Sequence, residues 1–385
     1  MTFKEFVDIN PKVSLKKGEE YSFIPMKDVS PGNRYSKATR TKIYKGGGTK
    51  FRDHDIIFAR ITPCLENGKI AQAANLKNGL GFGSTEYFVF RGKKEISDTA
   101  YIYYLSLTDI IKKTAEKSMS GASGRQRADI ESIKSIELDF PDLPTQHKIA
   151  SILSAYDDLI ENNARRIKIL EEMAQTIYNE WFVNFRFPDY EKVKFVDSSL
   201  GKIPEGWEVK NLNEVCENFD SKRKPISSLK RKEMQGDFPY YGAAKVIDYV
   251  NDFIFDGKYL LLAEDGSVIT KDAKPVLQFV SEKFWANNHT HILQGLKNVS
   301  TEFLYLFLSE YDISGHITGV AQPKINQENL NRIKVLVSSE ALMQKFNEIV
   351  IKNFNLIRTF NRENQNLRKT RDLLLPKLMS GEVEV

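Results

Sequence analysis

His289 and His291 alternate on a segment that reads as a strand, so both side chains would share one face at the spacing of a two-histidine metal pair. No third ligand stands near them in the sequence, and a packed or hydrogen-bonded pair is the expected reading. The run Gly79-Leu80-Gly81-Phe82-Gly83 has the look of a nucleotide-binding glycine motif. Yet Ser84 follows, the third glycine is misplaced and no clear strand precedes, so a loop is expected. Gly46-Gly47-Gly48-Thr49-Lys50 lacks the spacing of a phosphate-cradling Walker loop and reads as a flexible turn. Pro188-Asp189-Tyr190 is not the Asn/Asp-Pro-Pro-aromatic motif that positions an exocyclic amine for methyl transfer. No nucleophile is paired with a base, and catalysis is not expected of this chain.

Cations offer a different chemistry. Fifty-six Lys and Arg against 51 Asp and Glu leave a net charge of +5, which permits nucleic-acid binding without demanding it. The densest stretch, Lys222-Arg223-Lys224 followed by Lys230-Arg231-Lys232, lies in a Ser/Pro-containing segment that reads as a loop.

The elements that must position such residues follow from the whole chain. Its 385 residues call for two or three domains. With 41% hydrophobic residues, 24 Phe and 16 Tyr, it can form folded cores. No run of about 18 apolar residues occurs, and Met1 to Asn10 lacks the pattern of a signal peptide, so neither membrane insertion nor secretion by the usual route is expected. Cys64 and Cys216 are too few for a disulfide framework or a cysteine zinc cluster, which suits a reducing cytoplasm.

The pattern is written twice. Ile149, Leu153, Tyr156, Ile160, Asn163, Ile167, Leu170, Ala174, Ile177 and Trp181 form a ladder spaced alternately by four and three. It returns 197 residues later as Phe346, Val350, Asn353, Ile357, Phe360, Asn364, Leu367, Arg371, Leu374 and Leu378. A mean spacing of about 3.5 residues predicts coiled-coil seams on two long helices that pack together, with the asparagines fixing register. A helix of about 38 residues would span roughly 57 Å. Pro188 should end the first helix near Phe187, and Pro376 should kink or end the second.

The segments before the helices also match. Asp55 to Arg60 resembles Lys258 to Glu264, Phe82 to Phe90 aligns with Trp285 to Leu293 at an offset of 203, and Tyr101 to Ser106 resembles Glu302 to Ser309. Phe3 to Ile9 aligns with Val209 to Val215. The predicted order is a globular part over 1–143, a helix over 144–187, a polar linker over 188–205, a second globular part over 206–338, and a second helix with its tail over 339–385. The expected class is mixed α/β, with short twisted sheets.

This duplication, together with three phrases, resembles the specificity subunit of type I restriction-modification systems. The phrases are Leu143-Pro144-Thr145-Gln146-His147-Lys148-Ile149-Ala150, Leu200-Gly201-Lys202-Ile203-Pro204-Glu205-Gly206-Trp207-Glu208, and Leu373-Leu374-Leu375-Pro376-Lys377-Leu378-Met379-Ser380-Gly381-Glu382. The first globular part departs from the pattern, since it has no Ile-Pro-Glu-Gly-Trp phrase. The second seam is also the more polar, with Arg371 and two asparagines, and could face a partner. The resemblance implies two target-recognition domains, held apart by two antiparallel helices, each reading half of a split, asymmetric double-stranded DNA site. It also implies two modification subunits docked on the helices, and restriction subunits that translocate and cleave. S-adenosylmethionine, ATP and Mg would be bound by those partners, and no cofactor or metal by this chain.

Base readout needs donors and acceptors aimed at the major groove, and phosphate contacts need cations or amides. In the first domain the candidates are Lys50, Arg52, Arg60, Lys69, Ser84, Thr85, Glu86, Arg125, Gln126 and Arg127, the last three in the loop Ser120 to Arg127. In the second they are Lys222, Arg223, Lys224, Tyr240, Tyr241, Lys245, Asn287, Asn288, His289, Gln322 and Lys324, the last two in the loop Gly319 to Lys324. The rival reading of the same ladders is a coiled-coil adaptor whose globular ends bind proteins and not DNA.

Overall fold

Thr2 and Glu5 close a capping box around a one-turn helix, Phe3–Phe6, and the chain leaves it directly as the strand Val7–Ile9. Asn211 and Glu214 repeat the construction around Leu212–Val215, which leads into Cys216–Asn218. These boxes correct the alignment of Phe3 with Val209: the true correspondence lies three residues further on, with Phe3 matching Leu212. The error arises because apolar residues alternate on both sides of the cap, and only the capping geometry fixes the register.

The computed structural model describes every residue except Ser123, Val320 and Ala321. It divides into two units, Met1–Asn163 with Arg362–Val385, and Ala164–Asn361.

The first unit contains strands β1 (Val7–Ile9), β2 (Glu20–Ile24), β3 (Tyr35–Lys37), β4 (Thr41–Ile43), β5 (Thr49–Arg52), β6 (Ile56–Ala59), β7 (Ile70–Ala74), β8 (Leu80–Gly83) and β9 (Tyr87–Gly92). Its helices are α1 (Phe3–Phe6), α2 (Thr99–Ser106), α3 (Asp109–Lys117) and α4 (Ile130–Lys134), followed by α5 (Leu143–Tyr178), which continues into the second unit. A five-stranded sheet runs β1-β9-β6-β7-β3 beside a four-stranded sheet β4-β2-β8-β5. In the larger sheet only β3 and β7 pair in parallel. The central strand β6 is the apolar run Ile-Ile-Phe-Ala and is buried throughout. Gly79 to Gly83 is largely strand and not loop, because β8 inserts between β2 and β5. Gly46, Gly47 and Gly48 do form a turn, all with left-handed φ.

The second unit contains β10 (Phe195–Ser198), β11 (Gly201–Pro204), β12 (Glu208–Asn211), β13 (Cys216–Asn218), β14 (Gln235–Tyr241), β15 (Val246–Val250), β16 (Phe255–Ala263), β17 (Leu277–Ala286), β18 (Thr290–Gly295) and β19 (Lys334–Val337). Its helices are α6 (Leu212–Val215), α7 (Ser228–Glu233), α8 (Thr301–Glu310) and α9 (Gln327–Asn331), with the first part of α10 (Glu340–Ser380). The main sheet runs β13-β18-β16-β17-β14-β15, with β14 and β17 parallel. It therefore repeats the order of the first unit strand for strand, with β15 added at the edge. The connector expected between the halves carries a small hairpin, β10 with β11. The basic segment expected as a loop holds the helix α7, because Ser227 caps it by accepting from the Lys230 amide.

Gly92 and Gly295 end β9 and β18 at the same place. A Cβ on Gly92 would lie 2.4 Å from the Ser97 carbonyl oxygen, and one on Gly295 would lie 2.2 Å from that of Val299. Each amide instead donates to the hydroxyl that opens the following helix, Thr99 at 3.0 Å and Thr301 at 3.1 Å. Only glycine permits so close a return of the backbone.

The long helices run antiparallel within each unit. In the first, Ile149 and Leu153 share a core with Leu375 and Leu378, and Asn163 donates to Glu363 at 3.2 Å. In the second, Phe182 meets Phe346 at 5.0 Å between ring centroids, and Arg166 lies over the Phe360 ring. Ile149, Leu153, Ile160, Phe346, Val350 and Leu378 are buried as expected of a seam. Ile167, Leu170, Ile357, Phe360 and Leu367 are half-buried. Tyr156, Ile177, Trp181 and Leu374 are also only half-buried, and the buried positions beside them are Asp157, Tyr178, Phe182 and Leu375. A strict 3.5 repeat slips by about 20° per heptad against a straight helix, so the buried stripe moves one residue towards the ends. Past Tyr178 the helix widens into a π turn, Asn179–Val183. Pro376 neither ends α10 nor lies outside it, since the helix runs on to Ser380.

Candidate nucleic-acid interface

The end of the central strand is built alike in the two units. After β6, the Arg60 amide donates to the Glu86 carbonyl at 3.1 Å, and the Arg60 carbonyl accepts from Ala128 at 2.8 Å. After β16, the Glu264 amide donates to the His289 carbonyl at 2.9 Å, and the Glu264 carbonyl accepts from Ile325 at 2.9 Å. Beside each strand end a short loop closes on itself, Ser120 with Arg127 and Thr318 with Lys324. The backbone thus defines matching stations: Arg60 with Glu264, Glu86 with His289, and Arg127 with Lys324.

The side chains at these stations differ in charge. In the first unit Glu86 sits between two arginines: Arg127 donates through Nε and Nη2, the shortest contact at 2.7 Å, and Arg60 donates through Nε at 3.2 Å. The Arg127 hydrogen bonds, aided by Arg60, outweigh partial burial and hold the Glu86 carboxyl below its ordinary range. In the second unit the carboxylate comes from the other station. Glu264 receives Arg223 Nη1 at 2.7 Å and Lys324 Nζ at 3.1 Å. Burial pushes Glu264 up, but its bonds to Arg223 and Lys324 and the charge of His291 hold it below the ordinary range.

Arg223 is not available to a ligand. It donates through Nε to the Asp220 carbonyl and through Nη1 to Glu264 and the Thr290 carbonyl, with its side chain only 14% exposed. Its neighbours Lys222 and Lys224 are exposed. Tyr240 is a core residue whose hydroxyl accepts from the Ile226 amide at 3.1 Å, and the Tyr241 hydroxyl donates to Glu282 at 2.9 Å. Asn287 is buried and caps the His289 amide, while Asn288 is exposed. Asn288 and His289 border a cleft of about 420 Å³ with Pro225, Ser227 and Arg231. Lys245 and Gln322 are exposed on loops.

In the first unit Arg125 and Thr85 are exposed, Gln126 is half-buried with its backbone N–H donating to the Thr62 hydroxyl, and the Ser84 hydroxyl accepts from the Glu86 backbone N–H. Lys69 is spent on the Met26 carbonyl at 2.9 Å. Lys50 and Arg52 belong to β5 of the smaller sheet, and Lys50 lies 5.5 Å from the Tyr44 ring centroid. The residues brought together are therefore Arg60, Ser84, Glu86, Gln126 and Arg127 in one unit, and Arg223, Asn288, His289 and Lys324 in the other. Ser123, Val320 and Ala321, which belong to the two expected contact loops, lie outside the described residues.

The two histidines do not converge. His289 Nδ1 faces Asp265 at 2.8 Å, while the buried His291 spans Asp220 at 2.6 Å and the Ile325 carbonyl at 2.9 Å. Asp220, Glu264 and His291 place ligand-type atoms within 4.8 Å of one another. Arg223 and Lys324 already supply the positive charge that a cation would bring there. Glu264 and Asp220 were not among the sequence candidates: the match of Asp55 to Arg60 with Lys258 to Glu264 sets Glu264 opposite Arg60, but its pairing with Arg223 and Lys324, and that of Asp220 with His291, is made only by the fold.

Residues 1–172 and 204–364 match the family described as type I restriction modification DNA specificity domain. The chain is 27% identical over 301 residues to the type I restriction enzyme MjaIX specificity subunit of Methanocaldococcus jannaschii, covering 74% of this chain and 69% of that one. It is 24% identical over 409 residues to the type I restriction enzyme HindI specificity subunit of Haemophilus influenzae, covering 86% of each. The crystal structure of the type I restriction-modification S subunit from M. genitalium has the same fold, with a TM-score of 0.58 at 18% identity over 98% of this chain and 95% of that one.

Proposed function

The chain belongs to the type I restriction-modification DNA specificity family and is a specificity subunit with duplicated target-recognition domains; from that premise we propose that each domain reads one half of a bipartite, asymmetric site in duplex DNA. The observation that carries this reading is the twinned strand end, where Arg127 and Lys324 occupy one backbone station on matching loops. Each lies among polar side chains at hydrogen-bonding reach, the inventory that base-edge and phosphate contacts require. Exposed Arg125, Lys222, Lys224 and Lys245 supply further phosphate contacts.

The helical pair sets the distance between the two readers and docks two modification subunits. In favour of docking, Ile152, Leu159, Ile169 and Met173 on α5, and Ile349, Leu356 and Leu373 on α10, are exposed apolar side chains on helices whose other faces are packed. Methyl transfer with S-adenosylmethionine, and ATP- and Mg-dependent translocation and cleavage, fall to modification and restriction subunits, and this chain contributes no catalytic group or cofactor site. No helix among the described residues is long and apolar enough to cross a membrane, and the proposed place of work is the cytoplasm, where the DNA is.

Retention of duplex DNA by the complex with its modification subunit tests the reading. Affinity should fall steeply with salt, with the slope of several released counterions. An adaptor that binds only proteins would retain no DNA at any salt.

A further inference from the structure

Glu86 fixes the direction of a guanidinium. Arg127 gives it Nε and one side of Nη2, which leaves the outer edge, Nη1 with the second Nη2 hydrogen, without a partner among the described residues. That edge is a pair of parallel donors. The Arg127 side chain is 47% exposed and Glu86 only 19%, so the carboxylate backs the arginine and the free edge faces outward.

Phosphate attraction depends on charge and needs no carboxylate behind the cation; Glu86, shared by Arg127 and Arg60, lowers the cluster to one net positive charge and adds a fixed aim. Fixed aim of a planar fork is what a base edge requires, and guanine alone presents two acceptors, O6 and N7, in the major groove. At the same station of the second domain stands Lys324, which has no fork, and the nearby Arg223 has Nε and Nη1 hydrogen-bonded within the protein and Nη2 3.5 Å from Asp220. The two readers therefore differ here in kind.

We propose that Arg127 reads a guanine in the half-site of the first domain, and that Glu86 is the positioning residue that aims it. This rests on the reading of the chain as a two-headed DNA reader. Arg60, which shares Glu86 through Nε, braces the carboxylate from the other side.

The experiment maps methylated sites made by the complete complex, carrying wild-type chain, Arg127→Lys or Glu86→Gln. Arg127→Lys keeps the charge and removes the fork, and its exposed position spares the fold. Both variants should lower the preference for guanine at one position of one half-site by about ten-fold, the discrimination of a bidentate pair. The other half-site and the spacer should stay as in wild type. A methylation motif from Arg127→Lys as sharp as wild type at every position would overturn the proposal, as would relaxation spread over both half-sites. A wild-type complex that marks no specific sequence would instead overturn the underlying reading of the chain as a DNA reader.

Discussion

Arg371 on α10 and Asp157 on α5 form a buried ion pair inside the helical seam of the first unit. The Tyr104 hydroxyl donates to the other Asp157 oxygen at 2.7 Å, and Arg371 also donates to the Gly32 carbonyl at 3.3 Å. One guanidinium thereby ties both helices to the globular part. It does not face a partner, as the polar seam suggested; its charge is answered from within.

Removing one member of such a pair strands the other. Arg371→Ala should destabilise the first unit by about 3–5 kcal/mol, and Arg371→Met with Asp157→Leu should recover most of that loss. Urea unfolding followed by circular dichroism measures both. An Arg371→Ala variant as stable as wild type would show that the pair is idle.

Gly92→Ala and Gly295→Ala should each cost about 1–3 kcal/mol, because the added methyl meets fixed backbone. Gly315→Ala, with nothing within 4 Å, should be close to neutral. Thermal midpoints of the three variants make the comparison, and equal midpoints would contradict it.

Burial pushes the Cys216 thiol up to about 12, whereas Cys64 is partly exposed. The thiolate is the reactive form. At pH 8, iodoacetamide should label Cys64 in the native chain, and Cys216 only after denaturation, as read by peptide mass spectrometry. Native labelling of Cys216 would refute its burial.

For Asp220, burial raises the pKa, but the hydrogen bond and charge of His291, the Ile292 amide and Arg223 outweigh it and leave it below the ordinary value. A depressed carboxylate contributes stability that is present above its unfolded pKa, near 4, and lost as pH falls through the lower folded value. Wild type should therefore lose stability from about pH 4 downward, and Asp220→Asn should be less stable at pH 7 but flatter over that acid range. Midpoints scanned from neutral pH to acid would expose parallel curves if the claim is wrong.

The duplication and the long helices were legible because they rest on local signals, the apolar period and the matched segments; the prolines misplaced the ends, since the first helix stops at Val183 and α10 runs through Pro376. The role of single residues was not. Asp157 sits one position from Tyr156, and only its partner on α10 explains why the acid is the buried one. Arg223 and Lys324 look alike in sequence, yet Asp220, Glu264 and the Thr290 carbonyl consume the first and leave the second exposed. The alignment of Asp55 to Arg60 with Lys258 to Glu264 already sets Glu264 opposite Arg60, but only the fold shows that Arg223 and Lys324 converge on that carboxylate.

The central claim is that two sequence readers are held at an interval set by the helical pair. Inserting four residues in register into both α5 and α10 lengthens each helix by about 6 Å, up to about two base pairs of DNA at 3.4 Å each. Mapping of the methylated sites made by the complete complex should then show both half-sites unchanged and the unread spacer between them longer. A spacer of the original length, with both half-sites still read, would contradict the account.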